Sequence, residues 1–172
     1  MAISSLEDTE TQAAHMRKLW DLGTSPISNV VETLEEHQLC VLSIEANEKF
    51  DGMSAIGRDI SSGEVLAGAI VSRKDVPGER QRLNLTHELG HLVLVIPPSI
   101  DEEKAAFRFG SAFLVPAERL IKEVGSKRSY IYISELLMLK RKFGISIQAL
   151  LHRIWELGII NDSYYKRWCV IS

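Results

Sequence analysis

Cysteine is almost missing from this chain: Cys40 and Cys169 stand alone, far apart in 172 residues. Two isolated thiols exclude a disulfide framework and a Cys-x-x-Cys metal knuckle, so both are expected to be reduced. Long apolar runs are missing too. Nothing approaches the ~20 residues that span a bilayer, and Met1-Ala-Ile-Ser-Ser-Leu-Glu-Asp8 lacks the basic start and apolar core of a secretory signal. The expected location is the cytoplasm. Internal repeats and low-complexity segments are absent as well, which excludes solenoid and fibrous classes.

What is present is a chain with 45% apolar residues, enough for one well-buried domain with a small appendage. The net charge of −3 is unevenly spread: residues from 127 onward carry +5 and the rest −8. A basic tail suits an acidic partner, whether a phosphate backbone or a protein face, and equally suits a solvated surface.

Periodicity divides the chain coarsely. Leu6, Thr9, Ala13, Met16 and Trp20 recur at helical spacing, predicting a helix over 5–21, and Ser25-Pro26 reads as the start of a second helix ending near His37. His15 and His37 have no helical histidine partner and read as ordinary surface or core residues. Three short apolar runs at 39–44, 53–57 and 65–71, punctuated by Asp51-Gly52 and Ser61-Ser62-Gly63, predict a small antiparallel sheet. A helix from Glu79 to about Val95 is closed by Pro97-Pro98, and another over 101–113, started by Ser99, is closed by Pro116. Two short helices, 134–143 and 147–157, meet at Gly144-Ile-Ser146 and end at Gly158. The fold class is therefore α+β: N-terminal helices, a small antiparallel sheet, a central helix, and a C-terminal helix-turn-helix-like subdomain. The expected division is 1–125 and 126–172. The terminal hairpin also has the outline of a DNA reader, with Gln148, His152 and Arg153 as candidate contacts, although any packed helical hairpin shares that outline.

The most specific stretch lies on the central helix. His87-Glu88-Leu-Gly-His91 spells H-E-x-x-H, in which residues i and i+4 present two imidazoles to one ion and the intervening acid serves as general base. With 5 histidines in the chain, random placement yields the pattern about 2 times in 100. Catalytic zinc typically takes three protein ligands and keeps its fourth position for water. The next helix offers Asp101, Glu102 and Glu103, and periodicity does not choose among them, since both glutamates share faces with inward-pointing residues. The metzincin continuation is excluded by Leu94 and Pro97, and a deformylase-like cysteine ligand by the surroundings of Cys40.

Glu79-Arg-Gln-Arg-Leu-Asn-Leu-Thr-His-Glu-Leu-Gly-His91, followed by Glu103-x-x-Ala106-x-x-Phe109-Gly110-x-x-Phe-Leu-Val-Pro116, resembles the ImmA/IrrE family of metallopeptidases. That family's pattern is E-R-x-R-x-x-x-x-H-E-L-G-H, then E-x-x-A-N-x-F-A-x-x-L-L-M-P. The likeness covers most of the chain. It departs at Phe107, where the pattern has Asn, at Gly110, where it has Ala, and in Phe-Leu-Val-Pro for Leu-Leu-Met-Pro. The resemblance implies that Glu103 is the third ligand of a Zn2+ held with His87 and His91, that Glu88 is the general base, and that the substrate is a helix-turn-helix repressor whose cleavage relieves repression. Tyr130, Tyr132 and His152 are candidate donors to the tetrahedral oxyanion. Two rivals remain: a regulatory module that binds a repressor or DNA around a structural metal, and a small-molecule hydrolase built on the same helix.

Overall fold

The computed structural model describes residues 1–171. It is α+β, with elements in the order α1 (Asp8–Leu19), α2 (Val30–Glu36), β1 (Leu39–Ile44), β2 (Gly52–Arg58), β3 (Val65–Arg73), α3 (Gly78–Val93), α4 (Glu102–Leu114), α5 (Ala117–Val124), α6 (Ile133–Phe143), α7 (Ile147–Glu156) and α8 (Asp162–Ile171). The three strands form one sheet in the order β1-β3-β2. It is mixed rather than wholly antiparallel: β2 pairs with β3 antiparallel, but β1 pairs with β3 in parallel. β3 lies between its two predecessors, and β2 is left as an edge strand.

α3 and α4 pack together unusually closely, and glycine is the reason. A Cβ at Gly90 would stand 3.0 Å from the Ala106 backbone, and one at Gly110 would stand 2.8 Å from the backbone N of His87. These small residues let the helix backbones approach, while Leu85, Leu89, Phe109 and Phe113 bury their side chains alongside. The same apolar cluster continues through Leu34 and Ile70 to Phe143, Leu150 and Ile154.

Several element boundaries differ from expectation because distant groups act on them. α2 begins at Val30, not at Pro26. Asn29 caps it, accepting from Glu32 N at 3.2 Å. The carbonyls of Ile27 and Ser28 instead accept from the Arg82 guanidinium at 2.6 and 3.1 Å, so that segment serves α3. α3 stops at Val93 because Val95 pairs with the N-terminal stretch: Ile3 N donates to Val95 O, and Val95 N to Met1 O. At the start of α4 the cap is Asp101, which accepts from Lys104 N, rather than Ser99. α6 ends at Gly144, whose φ of 65° suits glycine, and Ser146 caps α7.

α8 is an element the sequence reading lacked. Asn161 accepts from Tyr164 N at its start. Tyr165 stacks on Trp155 with ring centroids 4.7 Å apart, and Trp155 Nε1 donates to Asp162 at 2.7 Å. α7 is therefore flanked by α6, α4 and α8 rather than projecting from the surface.

Candidate metal centre

α3 and α4 together bring the motif residues to one point. The Nε2 atoms of His87 and His91 are 3.0 Å apart, and the Glu103 carboxylate lies 3.3 Å from the first and 3.4 Å from the second. Ligand atoms bonded at 2.0–2.1 Å to one tetrahedral ion stand about 3.3 Å from each other. The three separations fit that requirement, and the donor set of two imidazoles and one carboxylate suits a borderline divalent metal. Burial first, and then the adjacent His91 imidazole, hold His87 below the usual histidine value. At neutral pH it is therefore in the unprotonated form that a metal requires.

Glu102 and Glu103 contact different atoms of the cluster. Glu103 reaches both Nε2 atoms. Glu102 Oε1 instead lies 3.0 Å from His91 Nδ1, on the opposite side of that ring. A proton on Nδ1 donated to Glu102 leaves the Nε2 lone pair facing Glu103 and His87, the arrangement by which an outer carboxylate fixes a ligand's tautomer. Sequence reasoning named no such partner. The only available signal was an acid immediately before Glu103.

Glu88 is buried, on the flank of α3 facing β2. A Cβ on Gly52 would stand 3.0 Å from Glu88 Oε1 and 3.1 Å from its Cγ. The bare backbone of Gly52 thus lets the edge strand close over the carboxylate. The start of β2 is pinned by Asp51, which accepts from Arg80 Nη2 at 2.7 and 2.8 Å and whose backbone carbonyl accepts from Asn84 at 3.3 Å. The Glu-Arg-x-Arg run at 79–82 is thereby explained as three ties. Glu79 pairs with Lys140 on α6 at 2.9 Å, Arg80 holds β2, and Arg82 donates to the carbonyls of Ile27, Ser28 and Phe143.

Beside the cluster runs an open cleft of about 930 Å³, lined by Gly52, Ser54 and Ile56 of β2, by Glu88 and the two histidines, and by Glu103 and Phe107. Among the other sequence candidates, His152 lines a second cavity that shares His87, Glu103 and Phe107 with this cleft. Tyr130 and Tyr132 are not brought to the cleft: they are exposed and hydrogen-bond each other at 3.0 Å. Arg153, a candidate DNA contact, is fully buried. It donates to the Val115 carbonyl and pairs with Glu10 of α1, at 2.8 Å for Nη2, so it is unavailable to a nucleic acid. Gln148 is exposed. No described helix is long and apolar enough to cross a membrane.

Residues 47–154 match a peptidase family described as the IrrE N-terminal-like domain. The chain belongs to this family. The matched span runs from the loop before β2 to near the end of α7, so this IrrE-like unit includes the His87/His91/Glu103 group and most of the helical hairpin. No curated protein matches the chain by sequence. Among solved structures, a Mycobacterium tuberculosis transcriptional regulator is similar in fold, with a TM-score of 0.58 at 13% identity over 86% of this chain. The chain spans 46% of that regulator's length.

Proposed function

We propose that this IrrE-like chain is a zinc-dependent endopeptidase that cleaves a helix-turn-helix transcriptional repressor and so relieves repression. The observation that carries the reading is the position of Glu88: a buried carboxylate between a His87/His91/Glu103 cluster and the open edge of β2. Family membership supports the peptidase chemistry, and the fold shared with a transcriptional regulator supports the regulatory setting.

His87, His91 and Glu103 would hold the zinc. When bound, such an ion supplies Lewis acidity, lowering the pKa of a water toward ~7 and polarising a carbonyl. The chain's own groups do the rest. An extended peptide laid along the free edge of β2 gains main-chain hydrogen bonds, which select backbone rather than a particular side chain. Glu88 takes the proton of the attacking water and returns it to the leaving amine. Glu102 holds the His91 ring in register. For the developing oxyanion we retain His152, which shares a cavity with His87.

The test is incubation of the zinc-loaded chain with a helix-turn-helix repressor encoded beside its gene. A product that forms with the wild type, disappears with chelator and is absent with Glu88→Gln is the expected result. Stable binding without any Glu88-dependent product would instead establish the regulatory module with a structural metal.

A further inference from the structure

Next to the cleft lies a second cavity of about 790 Å³ between α4, α7 and the N-terminal stretch, walled by Leu6, Phe107, His152 and Trp155. His87 and Glu103 line this cavity as well as the cleft. Phe107 follows Glu103 by four positions on α4, so the two side chains lie one above the other on one helix face. Anything bonded to a carbonyl carbon at the metal cluster is therefore within reach of this recess.

The walls specify what it takes. The Phe107 ring meets His152 edge-on with centroids 5.8 Å apart, and Trp155 meets His152 at 5.4 Å. The one polar atom of Trp155 is already committed to Asp162, so the indole offers carbon to the cavity. The two cations that line the recess are likewise paired. Arg108 pairs with Glu7 at 3.3 Å and Lys104 with Asp101 at 3.5 Å, while His152 Nδ1 and Glu156 Oε2 lie 3.6 Å apart, beyond hydrogen-bond distance, and are buried without a hydrogen-bond partner. The two lining cations are thus paired, and the aromatic walls reward apolar area.

We infer that this recess is a specificity subsite, and that it receives an aromatic or large aliphatic side chain adjoining the bond to be cut. The proposal rests on the metallopeptidase reading above. It assigns Phe107 a role in choosing substrate, at the position where the related pattern carries Asn, and it makes α7 part of the binding surface through Trp155.

The test uses hydroxamates of glycine, phenylalanine and lysine, titrated by calorimetry into the full-length zinc-loaded chain. The hydroxamate group anchors each compound at the cluster, so affinity differences report the recess, independently of any cleavage. Partial burial of a benzyl group predicts that the phenylalanine compound binds at least about tenfold more tightly than the glycine compound. The preference is expected to fall below about twofold in both Phe107→Asn and Trp155→Ala. Glycine hydroxamate should bind both variants as it binds the wild type, which also shows that they are folded. Equal affinity for the glycine and phenylalanine compounds, a preference that survives both substitutions, or tighter binding of the lysine compound each overturns the subsite while leaving the peptidase reading standing. If glycine hydroxamate fails to bind the zinc-replete wild type, the metal site falls and the subsite with it.

Discussion

The division of labour between Glu102 and Glu103 is the sharpest prediction of the site's geometry. Glu103 lies 3.3 and 3.4 Å from the two Nε2 atoms, where it would supply a negatively charged ligand, whereas Glu102 contacts only the far nitrogen of His91, at 3.0 Å. Removing a hydrogen-bond partner behind a ligating histidine typically weakens metal affinity about 10- to 100-fold, which is about 1.4 to 2.7 kcal/mol of binding free energy. Glu102→Ala should fall in that range. Glu102 is well exposed, so water can take over part of its role and the low end is expected. Glu102→Gln keeps an acceptor oxygen within reach and should lose still less. Glu103→Ala removes a ligand outright and should exceed the ~100-fold ceiling of an outer partner. Competition with a chromophoric zinc chelator at fixed pH measures all three. A larger loss for Glu102→Ala than for Glu103→Ala would reverse the assignment, and no loss for Glu102→Ala would show that the contact does not orient His91.

Other expectations concern catalysis, packing and pH. Gly52→Ala places a methyl 3.0 Å from Glu88 Oε1 and 3.1 Å from the Val71 carbonyl. Glu88 must shift, so turnover should fall about ten- to a hundredfold while chelator competition shows unchanged zinc affinity. Arg153→Met removes a fully buried guanidinium and leaves the Glu10 carboxylate and Val115 carbonyl short of a donor. Denaturant unfolding should show a loss of about 3 kcal/mol. Hydrogen bonds from the Ser4 hydroxyl and backbone, and then from Ser5, hold the Asp8 carboxyl at about 2, below its ordinary 3.8. Because the folded value is the lower one, this anchor contributes fully above about pH 4 and is lost as the pH falls toward 2. Amide exchange in the N-terminal stretch should therefore be faster in Asp8→Asn than in wild type at pH 5, and the two should converge near pH 2.

What could be read from the sequence was local. His87, Glu88 and His91 lie within five consecutive positions of one helix, so their convergence follows from helical spacing alone, and the turns at Pro97 and Pro116 follow from the chemistry of proline. What could not be read depended on residues far apart. Glu102 and Glu103 both share helix faces with buried residues of α4, and only the placement of His91 separates their contacts. The parallel pairing of β1 with β3 was hidden because the short connections around β2 suggest a meander of neighbours. Arg153 reads as a surface cation, yet its partner Glu10 is 143 positions away. α8 was missed because Lys166, Arg167 and two tyrosines mask its apolar stripe, although Asn161 before Asp162-Ser163 was a usable cap signal.

The departures from the related pattern gain meaning once α4 is placed. At Gly110 that pattern has Ala, but here a methyl would sit 2.8 Å from the His87 backbone N and 2.9 Å from the Thr86 carbonyl carbon, atoms that a helix cannot move aside. The two helices must therefore approach more closely in this chain than an alanine would allow. One helical face of α4 then carries, in order, the Glu103 carboxylate at the cluster, the Phe107 ring at the mouth of the recess, and Gly110 against the turn of α3 that bears His87. A shift of α4 that makes room at Gly110 would carry Glu103 and Phe107 with it. Gly110 and Phe107 are thus best understood as linked: the close helix contact fixes how far the aromatic wall stands from the metal ligands, and so how large a side chain can enter beside them.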